Sequence, residues 1–165
     1  MNRFKKVSFS EYLAANGKTD KYCTRYNDEY NNIKLPKRAT AGSAGYDIFA
    51  PFAFVLKPGE TIKIPTGIKV RLDTDKFLAI YPRSGLGFKY RVQLDNTVGI
   101  IDSDYINSDN EGHIFIKLTN DSREGKTVRI NQGEAFAQGI ITQFFKTDDD
   151  GADGVRNGGI GSTTK

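Results

Sequence analysis

Cysteine and histidine are almost absent from this chain of 165 residues, which carries one of each, Cys23 and His113. A lone cysteine cannot close an intramolecular disulfide, and without partner ligands it cannot build a structural zinc site, so Cys23 reads as chemically idle. One histidine leaves little room for the Ser/His and Cys/His pairs of acyl transfer, which is disfavoured. Long apolar runs are missing as well. No stretch approaches the roughly 20 apolar residues of a membrane span, and the opening MNRFKKVSFSEYLAANG lacks the apolar core of a secretion signal. A soluble chain is expected, with the cytoplasm as default location and no membrane partner. Strong charge is lacking too: 24 Lys and Arg against 20 Asp and Glu leave +4, without blocks of one sign. That balance suits phosphate-bearing small molecules, and with no dense interleaving of Arg and aromatics no nucleic-acid partner is expected.

What is present fits one domain with one core. Period-two alternation recurs at 61–64, 67–72, 77–81, 114–118 and 135–145, broken by Gly, Pro, Asn and Asp clusters. Short strands at such spacing predict an all-β sandwich or barrel. Residues 1–32 read as an appendage. A short helix, Glu11–Ala15, is predicted there with Ser10 as its cap and Gly17 behind it, and 19–32 shows little periodicity. The β domain then spans 33–147. From 148 to 165 the chain is acidic and glycine-broken, a flexible tether by composition.

The 17 glycines gather in loops, where chemistry is expected. Arg156-Asn157-Gly158-Gly159-Ile160-Gly161-Ser162-Thr163 offers a guanidinium, two hydroxyls and backbone free to approach a ligand, the makings of a phosphate clamp on a tether. It is not a P-loop, since no Gly-Lys-Ser/Thr occurs. Tyr81-Pro82-Arg83-Ser84-Gly85-Leu86-Gly87 groups an arginine, a hydroxyl and glycines after a strand, also suited to phosphate oxygens, although a strand-ending turn would look the same. Gly99-Ile100-Ile101-Asp102-Ser103-Asp104-Tyr105 sets two carboxylates two apart, on one face of an extended backbone, where one could take a proton from water. Asn107–Glu111 fails the calcium-loop order, because Asn107 stands where glycine is required, and it reads as a solvated loop. Ala41–Asp47 leads small residues into a single acid.

Taken in order, Ala44–Asp47, Pro82–Leu86, Gly99–Tyr105, Gly133–Gln138 and Arg156–Thr163 resemble the five motifs of the homotrimeric dUTPase family, over residues 34–165. The resemblance implies a distorted jelly-roll, a homotrimer with shared active sites closed by the C-terminal tail, and hydrolysis of dUTP to dUMP and pyrophosphate with Mg2+. By the same analogy Asp102 activates water and contacts the sugar, Tyr105 packs on the deoxyribose, and the turn 93–99, with Asn96 and Gly99, reads uracil. Arg83, Ser84, Gly85, Gln138, Arg156, Gly158, Gly159, Ile160, Gly161, Ser162 and Thr163 fall where the family binds the nucleotide, and Asp47 where it meets magnesium through water.

The sequence departs from the family pattern in three places. Tyr105-Ile106-Asn107 replaces Tyr-Arg-Gly, and an inserted stretch before Gly112 is expected to bulge beside the site. Ile160 replaces the aromatic of the last motif, and Glu134-Ala135-Phe136 replaces Asp-Arg-Ile. Alternatives are a catalytically silent nucleotide-binding module and a dCTP deaminase of the same superfamily. The deaminase needs a glutamate on the strand His113–Leu118, where Lys117 stands.

Overall fold

Strands form where side chains alternate between oil and water. In β10 (Phe115–Asn120) Ile116, Leu118 and Asn120 turn inward while Lys117 faces solvent, the period a half-buried strand imposes. The computed structural model describes residues 1–19, 24–156 and 158. In chain order the other strands are β1 (Arg3–Lys6), β2 (Lys37–Arg38), β3 (Tyr46–Phe49), β4 (Phe54–Leu56), β5 (Thr61–Pro65), β6 (Ile68–Arg71), β7 (Lys76–Pro82), β8 (Val92–Leu94), β9 (Gly99–Ile101), β11 (Val128–Ile130) and β12 (Ala135–Gln143). Helices α1 (Phe9–Ala15), α2 (Thr24–Asn31) and α3 (Ser84–Tyr90) and a 3-10 turn at Tyr105–Asn107 complete the described elements.

Antiparallel pairing gives a five-stranded sheet, β2-β3-β12-β7-β9, a three-stranded sheet, β5-β10-β8, and the ribbons β1-β6 and β11-β4. The expected all-β, jelly-roll-like architecture stands. Ile48, Leu78, Ile80, Ile64, Ile116, Leu118 and Phe136 fill the space between the layers. Phe136 sits where the β12-β3 register slips between Ala135 and Ala137. The bulge turns its ring inward, edge-on to Phe54 with 5.9 Å between centroids.

Residues 1–19 and 24–32 are woven into this body. β1 adds to the edge of β6, and Val7, Tyr12 and Leu13 are buried. The helix is capped by Ser8, not Ser10: Ser8 is extended and its hydroxyl accepts from the Glu11 N–H, so Ser10 lies inside α1. The aperiodic stretch before residue 32 contains α2, whose Glu29 is buried and takes bonds from Tyr12 and Arg25 at 3.3 and 2.9 Å. Packing rather than propensity holds so polar a helix. Cys23 lies outside the described residues.

Candidate active site

The five-stranded sheet assembles the first cluster. Gln138 on β12 stands opposite Asp47 on β3 and Tyr81 on β7, so an acid, an amide and the strand leading into Arg83 lie side by side. The Arg83 Nε is 3.2 Å from Asp47 Oδ1, and its Nη1 donates to the Ala135 carbonyl at 3.3 Å. Gln138 Nε2 donates to the Pro82 carbonyl at 3.1 Å. Gly45 lets Gln138 lie close: a Cβ on it would fall 2.8 Å from Gln138 Oε1 and push that amide aside. Ser84 and Gly85 open α3 directly after Arg83. Together Arg83, Ser84, Gln138, Tyr81 and Phe88 border a hollow of about 580 Å³, a size suited to a small ligand.

The second cluster lies beyond β9. Arg156 reaches back from the tail to Asp102 and, at 2.9 Å from its Nε, to Asp104. Its guanidinium carbon sits 5.7 Å from the centre of the Tyr105 ring. Asp104 is in a turn rather than a strand, so both acids meet one cation because the chain bends around it, not through the extended geometry expected. Ser108 Oγ donates to the Gly158 carbonyl at 2.9 Å. Tyr105 is buried, and its hydroxyl donates to the His113 carbonyl and accepts from Asn110 Nδ2, both at 3.0 Å. Burial holds this phenol above its ordinary range, while the Asn110 bond and the Arg156 charge pull it back.

Asn96 and Gly99 belong to the turn between β8 and β9. Next to Asn96, Thr97 has φ 64° and donates its hydroxyl to the Asn96 carbonyl at 2.6 Å, a strained conformation for a β-branched residue. Asn96 borders a hollow of about 560 Å³ with Lys63, Asp95, Phe115 and Lys117. Lys117 pairs with Asp95 at 2.8 Å, and bonds from Lys117 and Thr119 hold the Asp95 carboxyl below its usual range. The position a deaminase needs for its glutamate is thus a cation already engaged.

One chain does not join the two clusters. β7 pairs Leu78 with Ile101 and Ile80 with Gly99, which sets Asp102 beyond the Phe77 level and Arg83 off the far end of the same strand. Phe77 to Arg83 spans about 20 Å at the rise of a strand. Among the described residues no group of three or more His, Cys, Asp or Glu could hold a metal ion. Asp47 has one carboxylate oxygen engaged by Arg83, a donor set that fits a hydrated cation carried by ligand oxygens and not a protein cage.

Gly159, Ile160, Gly161, Ser162 and Thr163 lie outside the described residues. The loop 107–111 is only in part the solvated loop its sequence suggests: Asn107 and Asp109 are exposed, but Ser108 is buried, and Asn110 and Glu111 bond to Tyr105 and Ser8. No local pattern signals this, because the partner Ser8 is about a hundred positions away in the chain. His113, set aside as the sole histidine, is fully buried and joins the same network.

The dUTPase family model matches residues 31–164. A deoxyuridine 5'-triphosphate nucleotidohydrolase of Lactococcus lactis is 42% identical over 140 residues, covering 82% of this chain and 92% of its own length. The crystal structure of a dUTPase from Streptococcus mutans, 32% identical, superposes with TM-score 0.65 over 88% of this chain and 98% of its own. A dUTPase of phage phi11 of S. aureus, 20% identical, shares the fold with TM-score 0.65 over 93% and 97%, and coordinates a structural Mg(II) ion. With its ordered motifs, its β framework and these likenesses, the chain belongs to the dUTPase family.

Proposed function

We propose that the chain hydrolyses dUTP to dUMP and pyrophosphate in sites that copies of the chain build together. The observation that carries this reading is the seat of Arg156 against Asp102 and Tyr105, a tail guanidinium poised over an acid and a sugar-sized aromatic face. Asp102 takes a proton from water as the water oxygen bonds to the α-phosphorus. The bond from that phosphorus to the α,β-bridging oxygen breaks, and pyrophosphate leaves with the electron pair. Asp102 can accept that proton only after Arg156 releases it, and the triphosphate supplies the competing anion. Moving to the phosphates, Arg156 uncovers the Tyr105 ring for the deoxyribose, which leaves no room for a 2'-hydroxyl.

Arg83, Ser84, Gly85 and Gln138 receive the triphosphate from a second copy, since the register of β7 and β9 keeps Arg83, at the centre of that group, about 20 Å from Asp102 within one chain. A homotrimer satisfies this, and exposed Phe88, Ile100 and Phe145 supply apolar surface for it. Asn96 and Gly99 contact uracil, and Gly158 through Thr163 close over the nucleotide. Asp47 would hold, through water, a magnesium ion brought in with the triphosphate, and the ion would supply neutralisation of charge on the leaving pyrophosphate. The phage phi11 relative offers a precedent for a magnesium ion in this fold.

The test is pyrophosphate release with magnesium from dUTP, dCTP, dTTP and UTP. Turnover confined to dUTP, abolished by Asp102→Ala and strongly reduced by truncation before Arg156, is the expected result. Binding of dUTP without turnover would overturn hydrolysis, and a deaminated product from dCTP would overturn the family role assigned to this pocket.

A further inference from the structure

Residues 1–17 and the inserted loop meet in one clasp behind Tyr105. Glu111 has φ 58°, a left-handed backbone that is unfavourable for a non-glycine residue. Its carboxylate accepts from the Ser8 N–H at 3.0 Å, from the Ser8 hydroxyl, and from Lys69 Nζ at 2.7 Å. Those bonds over-determine the strained residue. Gly112 follows at φ 74°, and a Cβ there would fall 2.6 Å from the Ile106 Cα and 2.9 Å from the Tyr105 carbonyl. The pair of left-handed residues folds the loop tightly under the 3-10 turn that carries Tyr105.

Two hands then hold the phenol. Asn110 Nδ2 donates to the Tyr105 hydroxyl at 3.0 Å, while its Oδ1 accepts from the Gly112 N–H at 3.2 Å and so fixes the amide. On the other side the phenol donates to the carbonyl of His113 at 3.0 Å. The His113 ring is itself fixed, Nε2 accepting from the Gly67 N–H at 2.8 Å and Nδ1 lying 3.0 Å from Glu11 Oε1. The family model begins only at residue 31, so the Ser8 and Glu11 side of this clasp lies outside it.

We infer that Asn110 and Glu111 are positioning residues for Tyr105, and that Ser8 and Glu11 of the N-terminal segment brace them, so that this clasp sets how strictly the site refuses a ribose. The inference rests on the proposed role of Tyr105 against the sugar. A ring tethered at its hydroxyl from two sides cannot tilt to admit a 2'-oxygen, whereas one that has lost a tether can. In this reading Asn110 acts through the phenol it holds and not on the nucleotide itself.

The experiment measures kcat/KM for dUTP and for UTP in the full chain and in Asn110→Ala, Asn110→Asp and Glu111→Gln variants, with the same Asn110 changes repeated in a Tyr105→Phe background. Asn110→Asp keeps the size and the acceptor for the Gly112 N–H while losing the donor to the phenol, so it serves if the alanine variant folds poorly. The expected result is a dUTP-over-UTP preference lowered by about tenfold, the worth of one net hydrogen bond. The change lies mainly in better UTP turnover, with no further change once the hydroxyl is gone in Tyr105→Phe. An unchanged preference in both Asn110 variants, with dUTP turnover retained, overturns the inference and leaves the hydrolase reading standing. An equal further drop in the Tyr105→Phe background overturns it too, because Asn110 would then act by another route. Failure of the unmodified chain to turn over dUTP is the distinct outcome that removes the hydrolase reading and the inference with it.

Discussion

Acidification should loosen the fold through a single imidazole. His113 is fully buried, and its Nε2 accepts from the Gly67 N–H at 2.8 Å. The neutral ring therefore carries its proton on Nδ1 and donates it to Glu11 Oε1, 3.0 Å away. A second proton would set two N–H groups against each other at Gly67. Burial is the main cause that pushes the His113 pKa down to about 4, against the pull of the Glu111 charge. In the unfolded chain the same ring titrates near 6.5. Between these values the unfolded state holds a proton that the native state refuses. The contribution to stability is thus complete above pH 6.5, is lost as pH falls, and has gone below about pH 4. The gap is worth about 3 kcal/mol, with a slope no steeper than about 1.4 kcal/mol per pH unit. That is a large share of a typical stability of about 5–15 kcal/mol. Glu111 adds a loss at lower pH: burial lifts its carboxyl, but the bonds from Lys69 and Ser8 bring it to about 2, so its share fades from pH 4.5 downward. Glu11, raised by burial and by Glu111 against the pull of Lys69, works in the opposite sense, since the folded state takes up its proton more readily. Because His113 is the sole histidine, its imidazole NMR signals are unambiguous. A titration midpoint near 4 is expected, with a fall of about 3 kcal/mol in urea-unfolding free energy from pH 7 to 4 at fixed protein concentration. A midpoint near 6.5 with flat stability would refute the reasoning.

Other consequences are read by simpler means. Phe136→Ala empties the bulge pocket beside Phe54 and should cost about 3–5 kcal/mol in urea unfolding. Asn120 is fully buried and donates to the Leu56 and Lys126 carbonyls, each at 2.9 Å, while accepting from the Ser122 N–H at 3.1 Å. Its replacement by Ala should cost at least about 2 kcal/mol through stranded backbone groups, seen as a lowered Tm. Arg83→Ala removes an ion pair to Asp47 and the proposed phosphate donor; it should raise KM for dUTP by at least about tenfold, with only a small change in Tm because a partly exposed ion pair contributes little to stability.

How much was legible in the sequence follows from the range of the interactions. Alternation at 61–64, 77–81 and 114–118 marks β5, β7 and β10 because burial on one face is a local, periodic demand. β2, β4 and β11 are two or three residues long, too short for a period to be seen. β1 escaped since its sequence, Arg3–Lys6, is mostly cationic and becomes a strand only by pairing with β6. The acid, arginine and glutamine of the candidate site stand in short motifs that can be read locally, each an ionic or amide side chain set among small residues. Glu111 and His113 cannot, because their partners, Ser8 and Glu11, are about a hundred residues distant in the chain, and Asn110 bonds to Tyr105 only in the tight turn that Glu111 and Gly112 impose.

Sheet register also decides something that no motif states. Arg83 and Asp102 hang from opposite ends of β7 and its neighbour β9, so lengthening one loop cannot bring them together without unpairing the sheet. Exchange between copies can, at no cost to the pairing. The same edge exposes Ile100 on β9, and α3 exposes Phe88. With the proposed catalytic acid and the proposed phosphate-binding arginine held that far apart, this apolar surface suits a second copy that brings the missing half. A mixture of Asp102→Ala chains, inactive alone, and Arg83→Ala chains, impaired at low dUTP, should therefore on co-refolding exceed the turnover of either when dUTP is held well below the raised KM. Some mixed assemblies pair an intact acid from one chain with an intact arginine from the other, whereas sites contained within one chain would give no more than the average of the two variants at every mixing ratio.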